Sequence, residues 1–370
     1  MRFSYKGDWS KRKLNEICQF FKGNGLSKSD LSNEGFPCIL YGELYTTYKN
    51  EVISDIISKT NTTLANPFLS RNNDLIIPGS GEDPIDIAVA RAIYQNDIIL
   101  GGDLNILRPK SNISAAFLSY QLNGVRRYDI AKKAQGKSIV HLHNSDLKEV
   151  LVSIPTYDEQ LHIVELLTKI DEMIEAQIKI IDDYNSLKIG IYNWMFKENY
   201  ADYKLKQLAY IVKGDQINND QLLSNGSYYM MNGGTSPSGY LDSYNVSENT
   251  ISISEGGNSC GYVQFNSSPF WSGGHCYTKQ KVNSALIDNK YLYHYLKHKE
   301  KEIMNLRIGT GLPNIQKRDL ENFTILAPNL SIQRKNLALF EMLDEKISVL
   351  NEELTILEKQ KKYLLCNMFI

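Results

Sequence analysis

One spacing constrains this chain more than any other feature. Pro155, Gln160, Asp171-Glu172 and Met195-Phe196 return as Pro328, Gln333, Asp344-Glu345 and Met368-Phe369, each pair 173 residues apart. The register is unbroken from Pro155 to Phe196, so no insertion separates the copies there, whereas the segments before it align only in patches. A chain of this kind is expected to mount two globular units on one rigid device used twice.

The 370 residues suffice for two domains of ordinary size, and a 42% hydrophobic content can fill a core in each. The first residues, Met1 to Asp8, hold no apolar run of signal-peptide length, and no stretch approaches the roughly 18 apolar residues of a membrane span. A soluble cytoplasmic protein is the expectation, with no membrane partner. Cys18, Cys38, Cys260, Cys276 and Cys366 are an odd number without a CxxC pair, which points to structural thiols rather than a disulfide framework or zinc cluster.

The net charge of −1 excludes a uniformly basic coat but not a local basic face. Arg126, Arg127, Lys132, Lys133 and Lys137 cluster in the first copy, and Lys297, Lys299, Lys301, Arg307, Lys317 and Arg318 cluster at the same place in the second. A single charge run is ordinarily a solvated helix face. Its recurrence in register favours a shared anionic partner.

Each copy begins on a strand-like segment, Lys13 to Ile17 matching Lys204 to Leu208, with Lys22-Gly23 matching Lys213-Gly214. These points stand 191 residues apart, so the first domain carries about 18 residues of extra loop before the 173 spacing takes over. Short β-branched and aromatic runs between Gly, Asn, Ser and Pro then read as strands and tight turns. Asp74 to Ile77 before Pro78-Gly79-Ser80-Gly81 corresponds to Thr250 to Ile253 before Glu255-Gly256-Gly257, and Gly101-Gly102-Asp103 to Gly273-Gly274-His275. A helix is expected around Phe117 to Leu122 and again around Tyr291 to Leu296.

Beyond Pro328, Leu343, Leu350, Leu357 and Leu364 recur every seven residues, flanked by Phe340, Ile347, Leu354 and Met368. A heptad seam of that length predicts a coiled coil. The first copy offers Ile170, Gln177, Tyr184 and Ile191, with Leu167, Ile174, Ile181 and Met195 beside them; Gln177 either fixes the register or is simply solvated. Because a globular domain separates the two helices in the chain, an intramolecular antiparallel pair is the economical arrangement. Forty helical residues span roughly 60 Å, and two readers held apart by such a pair could meet successive turns of duplex DNA, about 34 Å each.

At these residues the chain resembles the specificity subunit of type I restriction-modification systems. The likeness is carried by Ile154-Pro155-Thr156-Tyr157-Asp158-Glu159-Gln160 and Ala327-Pro328-Asn329-Leu330-Ser331-Ile332-Gln333, the Asp-Glu step, the closing Met-Phe, and by Tyr41 to Tyr48 and Asn232 to Tyr240. It covers essentially the whole chain. The resemblance implies an α+β fold: two pseudo-repeated mixed α/β target-recognition domains, 1–156 and 200–329, joined by two long helices, 157–199 and 330–370, forming an antiparallel coiled coil. It further implies that each domain reads one half of a split, asymmetric duplex DNA site. The helices would set the spacing and dock two methyltransferase subunits, with restriction and translocase subunits joining through the complex. Gln160, Asp171, Glu172, Gln333, Asp344 and Glu345 are then the docking candidates. Such a subunit does no chemistry and needs no cofactor, since methyl donor and ATP belong to its partners. The chain departs from the pattern at Ile332, where the first copy has Glu159, so the two docking surfaces need not be equivalent.

Catalytic motifs are incomplete. Asn66-Pro67-Phe68 lacks the second proline of an amino-methyltransferase motif, and no Phe-x-Gly-x-Gly loop precedes it. Gly136-Lys137-Ser138 has Ala131 where a phosphate-binding loop needs its first glycine, and its repeat, Gly309-Thr310-Gly311, lacks the lysine. His294 with His298, and His141 with His143, have no third ligand at suggestive spacing.

For DNA, the glycine-rich loops permit close backbone approach while their Ser, Thr and Asn can address base edges. Thr46, Thr47, Tyr48 and Ser80 are the candidates in the first domain, and Thr235, Ser236, Ser238, Asn258 and Ser259 in the second. Lys132, Lys133, Lys137, Arg307, Lys317 and Arg318 are expected to hold phosphates. Two other readings remain open: a coiled-coil scaffold that binds no DNA, and the recognition region of a self-sufficient methyltransferase. A duplex-binding assay separates off the first, and labelled methyl donor the second.

Overall fold

The computed structural model describes residues 9–196, 200–309 and 311–369. The amino-terminal reading of Met1 to Asp8, the junction at 197–199, and Thr310 of the second glycine-rich motif fall outside them, as does Ile370. The chain divides into two compact units, Met1–Ile178 with Glu352–Ile370, and Lys179–Asn351.

In the first unit, Ser10–Lys13 pairs antiparallel with Leu151–Ile154, which brings the start of the domain beside its exit. The expected strand at Lys13 to Ile17 is extended only at its first residue. Leu14 and Ile17 are both buried three residues apart, and Glu16 accepts from the Lys13 amide, so Leu14–Ile17 closes into one helical turn. The same correction holds for Leu205–Leu208, where Gln207 accepts from the Lys204 amide at 2.5 Å. A five-stranded sheet follows, in the order Cys18–Lys22, Leu104–Pro109, Asp74–Pro78, Arg91–Ile93, Val52–Ile53. Asp74–Pro78 is buried throughout because both sheet faces are covered. Leu75 and Ile77 join a core with Phe117, Leu118 and Leu122 of the helix Ala115–Asn123, while Ile76 and Ile106 face a second core with Ile39, Leu44 and Leu100.

The second unit repeats this plan with a smaller sheet, Tyr210–Lys213, Cys276–Gln280, Thr250–Ser254, Val263–Asn266, antiparallel throughout. Ile251 and Ile253 pack toward Tyr291, Leu292, Tyr295 and Leu296 of the helix Asn289–His298. Ala201–Lys204 pairs with Thr324–Ala327 as the closing ribbon.

The two long helices are Tyr157–Met195 and Leu330–Asn367. In the first unit their segments run antiparallel: Lys361 lies 2.6 Å from Asp171, and Gln177 donates to Glu353 at 3.0 Å. That bond makes Gln177 a half-buried cross-helix contact rather than a solvated position. In the second unit Lys188 pairs with Asp344, and Tyr192 meets Phe340 edge to face. Leu167, Ile181, Phe340, Leu343 and Leu350 of the heptad seam are buried.

Candidate nucleic-acid interface

The repeated Gln holds each domain to its long helix. Gln160 Oε1 accepts from the amide of Ser114, the N-cap of Ala115–Asn123, at 2.9 Å, while its Nε2 donates to the carbonyls of Asn112 and Pro155, both at 3.2 Å. Gln333 Oε1 accepts from the amide of Asp288, the N-cap of Asn289–His298, at 2.8 Å. Its Nε2 donates to Leu286 and Pro328, at 2.9 and 2.8 Å. Both side chains are fully buried.

Asp171 is buried as well. It accepts from the Tyr120 hydroxyl at 2.7 Å and meets Lys361, which also reaches Glu51 at 2.6 Å. Burial pushes the Asp171 carboxyl up. Burial would push Lys361 down, but Glu51 and Asp171 together outweigh it and raise its pKa. Gln160, Asp171 and Gln333 are therefore corrected from docking contacts to internal braces, since every polar reach they have is directed inward. Asp344 is half-buried against Lys188, and only Glu172 and Glu345 of the six stand exposed.

In the second unit four loops meet. After Thr250–Ser254 the chain turns through Glu255-Gly256-Gly257, with Gly257 at φ +76°. Glu255 donates its amide to His275 O (2.9 Å) and accepts from Ile315 N (2.9 Å), and Gly257 donates to Pro313 O (3.0 Å). Ile308 and Asn314 bond each other in both directions, at 2.8 and 3.0 Å, and Asn314 bridges Gly256. Gly233, at φ +82°, lies against His275 and Gly256, which seats the 232–239 loop beside the others. Thr235, Ser236, Ser238, Asn258 and Arg307 are exposed around this cluster, and Ser259 is half-buried. Lys317 and Arg318 begin the short helix after Gln316, whose side-chain amide donates to Asn314 Oδ1 at 2.7 Å; Lys317 stands 3.8 Å from Glu321. Lys297 and Lys299 are turned to Glu300 and Glu302 instead.

A carboxylate not singled out in the sequence occupies the middle of these loops. Glu255 receives Lys213, lies 3.3 Å from His275 Nδ1 and 3.4 Å from the Tyr277 hydroxyl. Burial and this carboxylate push the Tyr277 phenol up to about 12. The signal was present, since Glu255 directly precedes the glycine pair and His275 follows another.

The first unit builds the corresponding place differently. Ser80–Gly81 pairs with Val140–His141, itself one strand of a hairpin with Gln135–Gly136. Lys137 is exposed on that hairpin, Lys132 is exposed before it, and Lys133 is half-buried. Thr46 and Thr47 are exposed at the end of the single turn Glu43–Thr46, whose Tyr45 hydroxyl lies beside Gly81. Two expectations are corrected here. Tyr48 is a core residue: its hydroxyl accepts from Ile57 N at 3.3 Å and its carbonyl accepts from the buried Arg91 at 3.0 Å. Ser80 is buried too, and its hydroxyl contacts His141 Nδ1 at 3.0 Å, so it orients the exposed His141. Arg127 is also drawn inward, donating to Ile85 O at 3.1 Å.

The discarded motifs have structural roles. The Asn66-Pro67-Phe68 bend is pinned by Asn24, which donates to Asn66 O at 2.9 Å and accepts from Phe68 N at 3.1 Å. Gly136-Lys137-Ser138 is a hairpin tip rather than a strand-to-helix loop. His294 is buried against Tyr192, 2.8 Å from its hydroxyl, and burial lowers its pKa. Among the described residues, no three His, Cys, Asp or Glu side chains are grouped to hold a metal, and no helix is long and apolar enough to cross a membrane.

A chain with two such units, each offering glycine-rich loops beside exposed basic side chains, falls in the class of paired recognition domains on a helical connector. Its sequence matches the family described as Type I restriction modification DNA specificity domain twice, over residues 6–182 and 197–359. The chain belongs to this family and carries its domain in two copies. It is 35% identical over 127 residues to a type I specificity subunit of Mycoplasma pneumoniae, a stretch covering 34% of each chain. The match thus spans about a third of that relative's length. A type I restriction enzyme specificity subunit of Methanocaldococcus jannaschii is 22% identical, with 87% of this chain and 84% of the other covered. The fold resembles the crystal structure of a type I restriction-modification S subunit from M. genitalium, with a TM-score of 0.69 at 19% identity, over 100% of this chain and 98% of the other.

Proposed function

We propose that this chain is the non-catalytic DNA-specificity subunit of a type I restriction-modification complex, working in the cytoplasm without a cofactor of its own. The carrying observation is the repeated joining of a glycine-containing turn to a later segment flanked by exposed cations, Ser80–Gly81 to Val140–His141 near Lys137 and Gly256 to Asn314 near Arg307 and Lys317. Each recognition domain, divided at 1–156 and 200–329, reads one half of a bipartite duplex site. Thr46 and Thr47 differ in chemistry from Asn258 and Glu255, which supports an asymmetric target. The connector segments, 157–199 and 330–370, set the gap between half-sites and dock two methyltransferase subunits, and restriction subunits join through the complex. Exposed apolar side chains on these helices, among them Met173, Leu187, Trp194, Met342 and Tyr363, support the docking role.

Duplex binding by the purified chain, followed across salt concentration, tests this reading. Replacing Lys317 and Arg318 by Ala should weaken all duplexes alike and reduce the salt slope by about one for each phosphate no longer neutralised. A chain that binds no duplex would be a scaffold. Methylation by the purified chain alone, given labelled methyl donor, would make it a self-sufficient enzyme.

A further inference from the structure

The two hairpins carry a feature that phosphate holding and base-edge reading leave unused. Between Gly136 and Val140 the tip of the first hairpin exposes Ile139, 57% accessible. Between Ile308 and Asn314 the second exposes Leu312, 84% accessible. Ile139 and Leu312 stand 173 residues apart, the spacing of the connector itself, although Ser138 next to one is Gly311 next to the other. Neither side chain joins any hydrophobic cluster of its unit. A glycine in the left-handed region stands in each segment, Gly136 at φ +135° and Gly309 at φ +96°. At Gly136 a Cβ would fall 2.0 Å from Ile139 O, so only glycine permits this tip.

The surroundings identify what such a tip meets. Lys132 and Lys137 are exposed near Ile139, and Arg307 near Leu312; none of the three makes an ion pair among the described residues. Each hairpin is hydrogen-bonded to the glycine-rich turn proposed to face the bases. An aliphatic side chain projecting beside exposed cations, Lys137 on the first tip and Arg307 directly before the second, matches a polyanion with an apolar, stacked interior. Proteins that enter DNA grooves in this way wedge Leu, Ile, Met, Phe or Pro between base pairs, partially unstacking them and bending the duplex.

We infer that Ile139 and Leu312 are wedge residues, each inserted at one base step within the half-site its own domain reads. The inference rests on the reading of the chain as a DNA-specificity subunit. Insertion adds a requirement for an easily unstacked step, such as a pyrimidine–purine step, at a position that no polar side chain contacts. Each half-site thereby gains a preference that hydrogen bonds do not supply.

The test uses the full chain and a duplex bearing its site, as found by methylation mapping in cells that express it with its methylase. 2-Aminopurine is placed at successive positions, and fluorescence reports unstacking. Wild type should raise fluorescence at one step in each half. Leu312→Ser should abolish the rise in one half alone and Ile139→Ser in the other, while Leu312→Met retains it. Affinity should change by no more than about tenfold, because the variant forgoes the apolar insertion and its unstacking cost together. The salt slope should not move. Tight binding without any rise, or variants that unstack as wild type does, would overturn the wedge and leave the DNA reading intact. Normal unstacking with loss of methyltransferase co-purification in Leu312→Ser would reassign the tip to subunit docking. Absence of any duplex binding by wild type would remove both readings together.

Discussion

Gln160 and Gln333 explain at the level of single atoms why the repeat is sharpest where the domains end. Each satisfies the N-cap amide of a core helix and two carbonyls, of which those of Pro155 and Pro328 are held in buried bonds. Gln333→Ala should therefore destabilise the second unit by roughly 2–4 kcal/mol, measurable by urea unfolding, because the orphaned groups lose their partners without regaining water. Gln333→Glu should cost a comparable amount, since it brings a charge into the same site. His294 supplies a second residue-level prediction. It is packed by Tyr192 and Phe340, and Asp344, Lys188, Glu341 and Lys290 lie around it; burial depresses its pKa below the ordinary 6.5. Folded, it binds its proton less readily than unfolded. Its contribution is thus complete above about pH 6.5 and lost as pH falls toward the folded value, at up to about 1.4 kcal/mol per pH unit. Compared with wild type, His294→Gln should show a shallower acid loss of stability between about pH 6.5 and 5; equal slopes would show that this histidine is not buried neutral. None of this inward bonding was legible in the sequence. A glutamine five residues after a proline and an aspartate in a helix look the same whether they meet a partner or their own domain, and only the course of the chain decides.

At the scale of elements, the long helices and their seam were the most legible part of the chain, because a seven-residue apolar repeat has few other uses. One strand of each sheet, Asp74–Pro78 and Thr250–Ser254, was legible as an apolar, β-branched run before a glycine turn, and the helical turns Leu14–Ile17 and Leu205–Leu208 were not, since four residues give no period to read. The pairing of Asp171 with Lys361 and of Asp344 with Lys188 is a relation the repeat contains but does not announce: both acids and both lysines stand 173 residues apart, and each acid meets the lysine of the opposite helix. This crossed arrangement gives the antiparallel pair a defined register. A seven-residue insertion after Tyr184, matched by one after Ile347 on the facing helix, should keep that register because a heptad preserves the apolar face. The helices lengthen by about 10 Å, roughly three base pairs at about 3.4 Å each. Methylation mapping should find unchanged half-sites and a longer unspecified gap; an unaltered gap would show that spacing is set elsewhere. A four-residue insertion in one helix should instead abolish specific methylation.

For the whole molecule, the decisive property is that one chain carries two recognition domains whose loops differ. The duplication was plain in the sequence, yet the individual loop residues were only partly readable. Tyr48 and Ser80 turned inward, Glu255 and His275 emerged because distant turns converge on them, and Ile139 and Leu312 stand out only as exposed tips. The central claim is that the two domains read their half-sites independently. It is tested most directly by replacing residues 200–329 with the corresponding domain of another family member and mapping the methylated sites in cells that also carry the methylase. One half of the target should change while the other half and the gap stay as they were; simultaneous change of both halves, or of neither, would contradict independent reading.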